Sequence, residues 1–267
     1  MNLQAVAITA WALLALGATP SSGAAPVAPF NPPSEAMLPS DVRGETIRYG
    51  QRIVTQTGVF AKPYVGNALS CTNCHLEAGR KPKAAPYVGV YASFPQYRAR
   101  SGKVDRIEDR INDCFQRSLN GKALPYESRE MTALVAYMAW LSEGVPTGMK
   151  VEGQGFSRIS PSAPPDAKRG SQVYGTSCAQ CHGPDGQGTA AFPPLWGERS
   201  FNIGAGMARL DTAAAFIKWN MPLGQGGTLS DQQAYDVAAY LLSQPRPDFG
   251  PKVHDWPKGG KPKDSPY

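Results

Sequence analysis

A five-residue signature, written twice, restricts this chain more than any other feature: Cys71-Thr72-Asn73-Cys74-His75 and Cys178-Ala179-Gln180-Cys181-His182. C-x-x-C-H is the attachment signal for a c-type haem. Its two thiols add to the haem vinyl groups, and the histidine is held beneath the iron as the proximal ligand. C-x-x-C alone also serves redox dithiols and zinc sites. Here, two of the chain's three histidines each follow a second cysteine directly. The sequence therefore predicts two covalently bound haem c groups. Cys71, Cys74, Cys178 and Cys181 would hold them, with His75 and His182 as proximal ligands.

A second repetition surrounds the first. Arg43-Gly44-Glu45-Thr46-Ile47-Arg48-Tyr49-Gly50 precedes one motif, and Arg169-Gly170-Ser171-Gln172-Val173-Tyr174-Gly175 precedes the other. Each half closes on a helical pattern: Met131, Leu134, Val135, Met138 and Leu141 in the first, Ala234, Val237, Ala238 and Leu241 in the second. An opening helix, a haem motif and a closing helix, repeated, predict a mainly α chain of two tandem class I cytochrome c-like domains. The expected boundaries are 41–145 and 166–245. A Gly/Pro/Ser-rich linker would occupy 146–165, and a Pro/Lys/Gly-rich C-terminal tail, 246–267, would wrap over the surface or fray.

The N-terminal 1–24 read as a signal peptide, an apolar run from Ala5 to Leu16 followed by small residues, although no Lys or Arg precedes the run. The apolar stretch is short for a membrane span, so no span is expected in the mature chain and a periplasmic location is. An uncleaved anchor is the competing reading. Residues 25–40, rich in Pro, Ala and Ser, should form a flexible or surface-draped arm. The net charge of +6 suits a small anion or an acidic redox partner. With no Lys/Arg run of five or more, nucleic acid is not an expected partner.

Each iron needs a sixth ligand or an open position. In the second domain the candidate is Met221, 39 residues after His182, in Asn220-Met221-Pro222; a thioether there raises the potential. Met207 is the rival. The first domain has Cys114 at the same distance, 39 residues after His75. It is also the fifth cysteine, left over from the thioethers. An axial thiolate would explain it, and an inert thiol or an intermolecular disulfide are the alternatives. Met131 and Met138 are further ligand candidates, but both fit the apolar face of the closing helix. Arg98, Arg100, Arg106, Arg110 and Arg117 crowd Cys114 in sequence. Guanidinium forks suit oxyanions, so a site for a small divalent oxyanion is expected there. His254, in the tail, is expected to be solvated.

Taken in order, S-C-x-N-C-H, F-P-x-Y, N-D-C-F-x-R-S-x-N-G and V-A-Y-M-x-W-L-S resemble the dihaem thiosulfate dehydrogenases. The second domain continues the resemblance with C-x-x-C-H-G, P-P-L-W-G, N-M-P-L-G and L-S-D-x-x-A-Y-D-V-A-A-Y, so that it spans about Val42 to Gln244. It implies an enzyme that joins two thiosulfates into tetrathionate, reversibly in some members. Electrons would pass through both haems to a soluble or membrane-attached acceptor cytochrome. By motif match, Cys114 would be both haem ligand and catalytic thiol. Arg100, Arg110 and Ser118 would hold sulfonate groups, and Met221 would be the distal ligand of the second haem. Some relatives carry a Lys before this Met as a competing ligand. Here that position is Asn220, with Lys218 close by.

Other readings compete. A dihaem electron carrier would leave Cys114 without a role. A haem subunit of a sulfur-oxidising carrier complex would need a partner chain. A dihaem peroxidase needs an open iron, which two spaced ligands disfavour.

Overall fold

The computed structural model describes residues 26–267, so the expected signal segment 1–24 lies outside the described residues. Two helical domains follow one another, with cores that separate cleanly. Ile47, Ile53, Phe115, Met131, Leu134 and Tyr137 lie in the first core. Tyr174, Trp196, Ala214, Ala234, Val237 and Ala238 lie in the second. The first domain opens on α1 (Val42–Thr55) and closes on α3 (Arg129–Trp140), with α2 (Ile107–Asp113) between them. The second has α4 (Ala167–Ser177), α5 (Leu210–Asn220) and α6 (Asp231–Leu242). Sheet is limited to two short pairs. β1 (Val27–Ala28) runs parallel to β4 (Lys150–Val151), and β2 (Gln96–Arg98) runs antiparallel to β3 (Lys103–Asp105). No helix among the described residues is long and apolar enough to cross a membrane.

The helix starts repeat as the sequence does. Asp41 and Asp166 cap the two opening helices, accepting from Gly44 N and Arg169 N. Ser128 and Ser230 cap the two closing helices, accepting from Met131 N and Gln233 N. At Ser230 the Gln233 side chain returns the bond and completes a capping box. Each cap is worth about 1 kcal/mol.

The register of the repeat is offset from its sequence alignment. The opening and closing helices meet at Gly50 in the first domain, where an added Cβ would lie 2.1 Å from Ala133 O, and at Gly170 in the second, 1.9 Å from Asp236 O. Gly50 and Gly170 are thus the equivalent residues, whereas the shared Arg-Gly pairs Gly44 with Gly170. Gly170→Ala should therefore force the helices apart and destabilise by about 2 kcal/mol net of the propensity gain. Gly175→Ala, on the same helix with nothing within 4 Å, should stabilise by about 0.5–1 kcal/mol. Thermal unfolding of the two variants checks the opposite signs.

Arm, linker and tail are all pinned. β1 pairs with β4, and Arg80 donates to Pro33 O at 2.6 Å. In the 146–165 segment, Gly153 O and Gly155 O accept from Lys83 N and Ala85 N at 2.8 and 2.9 Å. Val151 is buried against Gly89. The tail, expected to wrap or fray, is locked down. Buried Asp255 accepts two bonds from Arg117, both at 2.8 Å, and one from Tyr267 Oη at 2.6 Å. Trp256 stacks on Arg100 and Tyr267. Three asparagines tie the domains together. Asn67 reaches Ser200 O, Asn202 reaches Gln116 O, and Asn220 reaches Lys83 O.

Candidate active site

The first motif sits in a tight turn, Cys71–Asn73. Ser70 and Asn73 close it as a reciprocal box, with Ser70 N donating to Asn73 Oδ1 at 2.7 Å. Thr57 Oγ1 holds Cys71 N at 3.0 Å. The chain then turns through left-handed residues Glu77, Ala78 and Gly79. Gly79 is required twice over, by φ +81° and by a Tyr87 ring 2.3 Å from where its Cβ would stand. Tyr87 packs on the His75 ring, centroids 4.5 Å apart. Ala85 O lies 2.6 Å from His75 Nδ1, which leaves Nε2 free to face the cavity. The second motif follows the same rule, with His182 Nδ1 2.9 Å from Pro193 O. Burial lowers the His182 pKa and favours the neutral imidazole that a metal needs. P-P-L-W thereby acquires a physical meaning: its first proline orients the histidine, and Trp196 packs on Tyr174, centroids 5.3 Å apart.

Each cavity is lined by a motif histidine and a further sulfur, His75 with Cys114 in the first and His182 with Met221 in the second. Cys114 is the residue directly after α2, and Met221 the residue directly after α5. Met221 and Met207 both line the second cavity, about 220 Å³. Lys218 is not among the residues lining it; its ammonium is engaged by Leu229 O at 2.6 Å and Gly227 O at 3.1 Å. Met131 lies in the first core. Met138 does too, and it also lines the first cavity. His254 is exposed, away from both cavities.

Cys114 opens a π-helical turn, Cys114–Ser118, closed by Leu119 N donating to Cys114 O at 2.9 Å. Such turns concentrate at functional sites, and this one left no mark in the sequence pattern. Its outward carbonyls are taken up by asparagines: Gln116 O across the domain boundary by Asn202 at 2.9 Å, and Ser118 O within the domain by Asn67 at 2.9 Å. The first cavity, about 340 Å³, is lined by His75, Tyr87, Arg98, Arg110 and Cys114, among others. Arg110 donates to Cys114 Sγ at 2.9 Å. Burial pushes this thiol up, but the Arg110 guanidinium and the His75 ring more than offset it and hold it at about 6. Three motif thiols go the other way. Burial raises Cys71 to about 11, Cys74 to about 12 and Cys178 to about 11. One thiolate, at Cys114, is thus held opposite a histidine, with a cation on it.

The five arginines that crowd Cys114 in sequence do not all face it in the fold. Arg110 and Arg98 line the cavity, and Arg98 is paired to Asp113 at 2.8 Å. Arg106 is outside, over the Tyr126 ring. Arg117 belongs to the tail lock. Arg100 donates to Gly204 O at 2.6 Å and stacks on Trp256. Neither Arg100 nor Ser118 lines the cavity, so of the four residues expected to act on substrate the structure brings Cys114 and Arg110 together. Tertiary pairing with Asp105, Asp113 and Asp255 accounts for the difference. Conversely, Gln96, Lys150 and Gln154 line the cavity without having been anticipated.

The two cavities adjoin. Thr72, Asn73 and Leu76, from within and beside the first motif, line the second cavity. Cys71, His75 and Cys114 around the first cavity, with Cys74 of the same motif, and Cys178, Cys181, His182 and Met221 around the second fit a covalently attached haem.

Comparison with known proteins agrees with this geometry. A family model described as the SoxA/TsdA cytochrome c domain matches residues 57–147, and one described as cytochrome c oxidase, cbb3-type, subunit III matches 165–241. The chain is therefore built of two cytochrome c domains, which indicate haem c. It is 46% identical over 250 residues to a thiosulfate dehydrogenase of Allochromatium vinosum, covering 90% of this chain and 92% of that one. It is 48% identical over 224 residues to one from Stutzerimonas stutzeri, covering 82% and 73%. Among solved structures, the thiosulfate dehydrogenase TsdBA of Marichromatium purpuratum superposes with a TM-score of 0.78 at 40% identity. That match covers 82% of this chain and half of the longer one.

Proposed function

The chain belongs to the thiosulfate dehydrogenase family, and we propose that it is a periplasmic dihaem cytochrome c that oxidises two thiosulfates to one tetrathionate, with an acceptor cytochrome as electron sink. The observation that carries this reading is the Cys114 thiolate, held opposite His75 and hydrogen-bonded by Arg110. A plain electron carrier has no use for that arrangement.

The reaction must bring two dianions together. Unit charges 4 Å apart repel by about 4 kcal/mol at an effective dielectric constant of 20, and double charges multiply that fourfold. Arg110 lowers this barrier and orients the first thiosulfate. Cys114 sulfur joins the sulfane sulfur to give Cys–S–S–SO₃⁻ with release of two electrons. The second thiosulfate then attacks that sulfur, tetrathionate leaves, and the thiolate returns. One difficult coupling thus becomes two easier ones. The haem groups, bound at Cys71/Cys74/His75 and Cys178/Cys181/His182, supply the one-electron acceptors. Thr72 and Asn73, from the first motif, line the second cavity, so the two sites lie side by side, which supports transfer between them.

Met221 is the proposed distal ligand of the second site because it occupies the position after α5 that Cys114 occupies after α2. Met221→Ala should remove the long-wavelength sulfur–iron band and lower the second potential, whereas Met207→Ala should leave both unchanged. Optical redox titration of the two variants separates them. The function itself is tested by steady-state reduction of an artificial acceptor with thiosulfate. Thiosulfate-dependent turnover supports the enzyme; haems that are reducible but never turn over thiosulfate, or tetrathionate with a reductant, would leave the carrier reading.

A further inference from the structure

The charges facing the first cavity do not suffice for two dianions as they stand. Arg110 is taken up by the Cys114 thiolate and, in the proposed reaction, by the first thiosulfate. Arg98 is committed to Asp113 at 2.8 Å and approaches Asp105 at 3.7 Å. No carboxylate lines the cavity, and one further cation does: Lys150. It is exposed, and among the described residues it has no ion pair and no hydrogen-bond acceptor for its ammonium.

Lys150 lies in the segment that joins the two domains, yet its backbone is fixed. It stands in β4, paired with Val27 of β1. The next residue, Val151, is 3% exposed and packs where Gly89, at φ +75°, leaves room, an added Cβ there lying 2.3 Å from its methyl group. Five residues on, Gly155 O receives Ala85 N, and the Ala85 carbonyl faces His75 Nδ1. The strand carrying Lys150 is thereby tied to the loop that orients the histidine. Gln154 and Gln96 line the same cavity and offer amide donors.

We propose that Lys150 is the sulfonate-binding cation for the second thiosulfate, with Gln96 and Gln154 completing an anion subsite at the cavity's edge. An ammonium suits this place: it is a compact point charge on a flexible stem, able to follow the sulfonate as the first adduct is displaced. This inference rests on the proposed reaction and deepens it. It makes the interdomain segment part of the substrate site.

The test uses haem-loaded Lys150→Gln and Lys150→Arg. Lys150→Gln should raise KM for thiosulfate about tenfold, the scale of one charge-assisted contact. Its kcat, haem spectra and first-haem potential should stay as in wild type. Lys150→Arg should restore KM, and the salt dependence of KM should be weaker in the Gln variant. An unchanged KM would overturn the assignment. A shifted first-haem potential with KM unchanged would also overturn it, by giving Lys150 to the haem carboxylates instead. If wild type forms no tetrathionate, the reaction itself fails. Calorimetric binding of thiosulfate to wild type and Lys150→Gln then still decides whether this residue holds the anion.

Discussion

Cys114→Ala should abolish thiosulfate turnover, by about 10³-fold or more, while leaving the chain folded and the second haem intact. The size follows from what one sulfur atom is asked to do. In the proposed mechanism Cys114 is the nucleophile that splits the coupling into two steps, and losing a covalent route of this kind costs several orders of magnitude. It is also the sulfur opposite His75, so the first haem should lose its thiolate signature and its potential should rise by on the order of 0.1 V or more. The fold has little reason to fail. Cys114 is partly exposed to the cavity, and the turn it opens is held through its backbone by Leu119, Asn202 and Asn67. Removing the thiolate also relieves Arg110 of its partner, so anions should still enter. The paired readouts are turnover and the optical potentials of each haem. A variant with full turnover would contradict the mechanism, and one with an unchanged first-haem potential would contradict the ligation.

Asp255→Ala should be the most damaging surface-segment substitution, costing about 3–5 kcal/mol of stability. Asp255 lies in the tail, but its carboxylate is 5% exposed. It accepts both nitrogens of Arg117, takes the Tyr267 hydroxyl, and lies 3.9 Å from Arg100 Nε. Burial and the neighbouring Arg117 already push the Arg100 pKa down, and Asp255 is among the charges that oppose this. Without it, two guanidinium groups stay buried beside each other with no anion between them. The domains should loosen at the same place, because Arg100 also holds Gly204 O and Arg117 stacks on Phe249. Denaturant unfolding should show the loss, and limited proteolysis should release the tail after Pro245. A variant as stable and as protease-resistant as wild type would show that the tail is only draped.

Much of the local structure was legible in the sequence. The paired motifs located both histidines. The apolar spacing located the closing helices. The shared 39-residue spacing carried furthest, since Cys114 and Met221 each stand directly after a helix and line their own domain's cavity. What was not legible depends on pairing between distant residues. The arginines around Cys114 are an anion site in sequence, but Asp105, Asp113 and Asp255 claim three of them in space. The tail and linker lack any apolar period, because single side chains anchor them rather than a helical face. The Gly50–Gly170 equivalence was hidden because the shared Arg-Gly dipeptide pairs Gly170 with Gly44 instead. Lys150 had no motif at all. It became visible once β4 was seen to run along the first cavity.

The central claim, that Cys114 couples two thiosulfates while electrons move to two haems, is tested most directly by an anaerobic single turnover. Oxidised protein is mixed with excess thiosulfate and no external acceptor, haem reduction is followed optically, and tetrathionate is assayed in the quenched sample. Reduction of both haems with one tetrathionate per protein is the predicted result, lost in Cys114→Ala. Haem reduction without tetrathionate, or the same yield without Cys114, would contradict it.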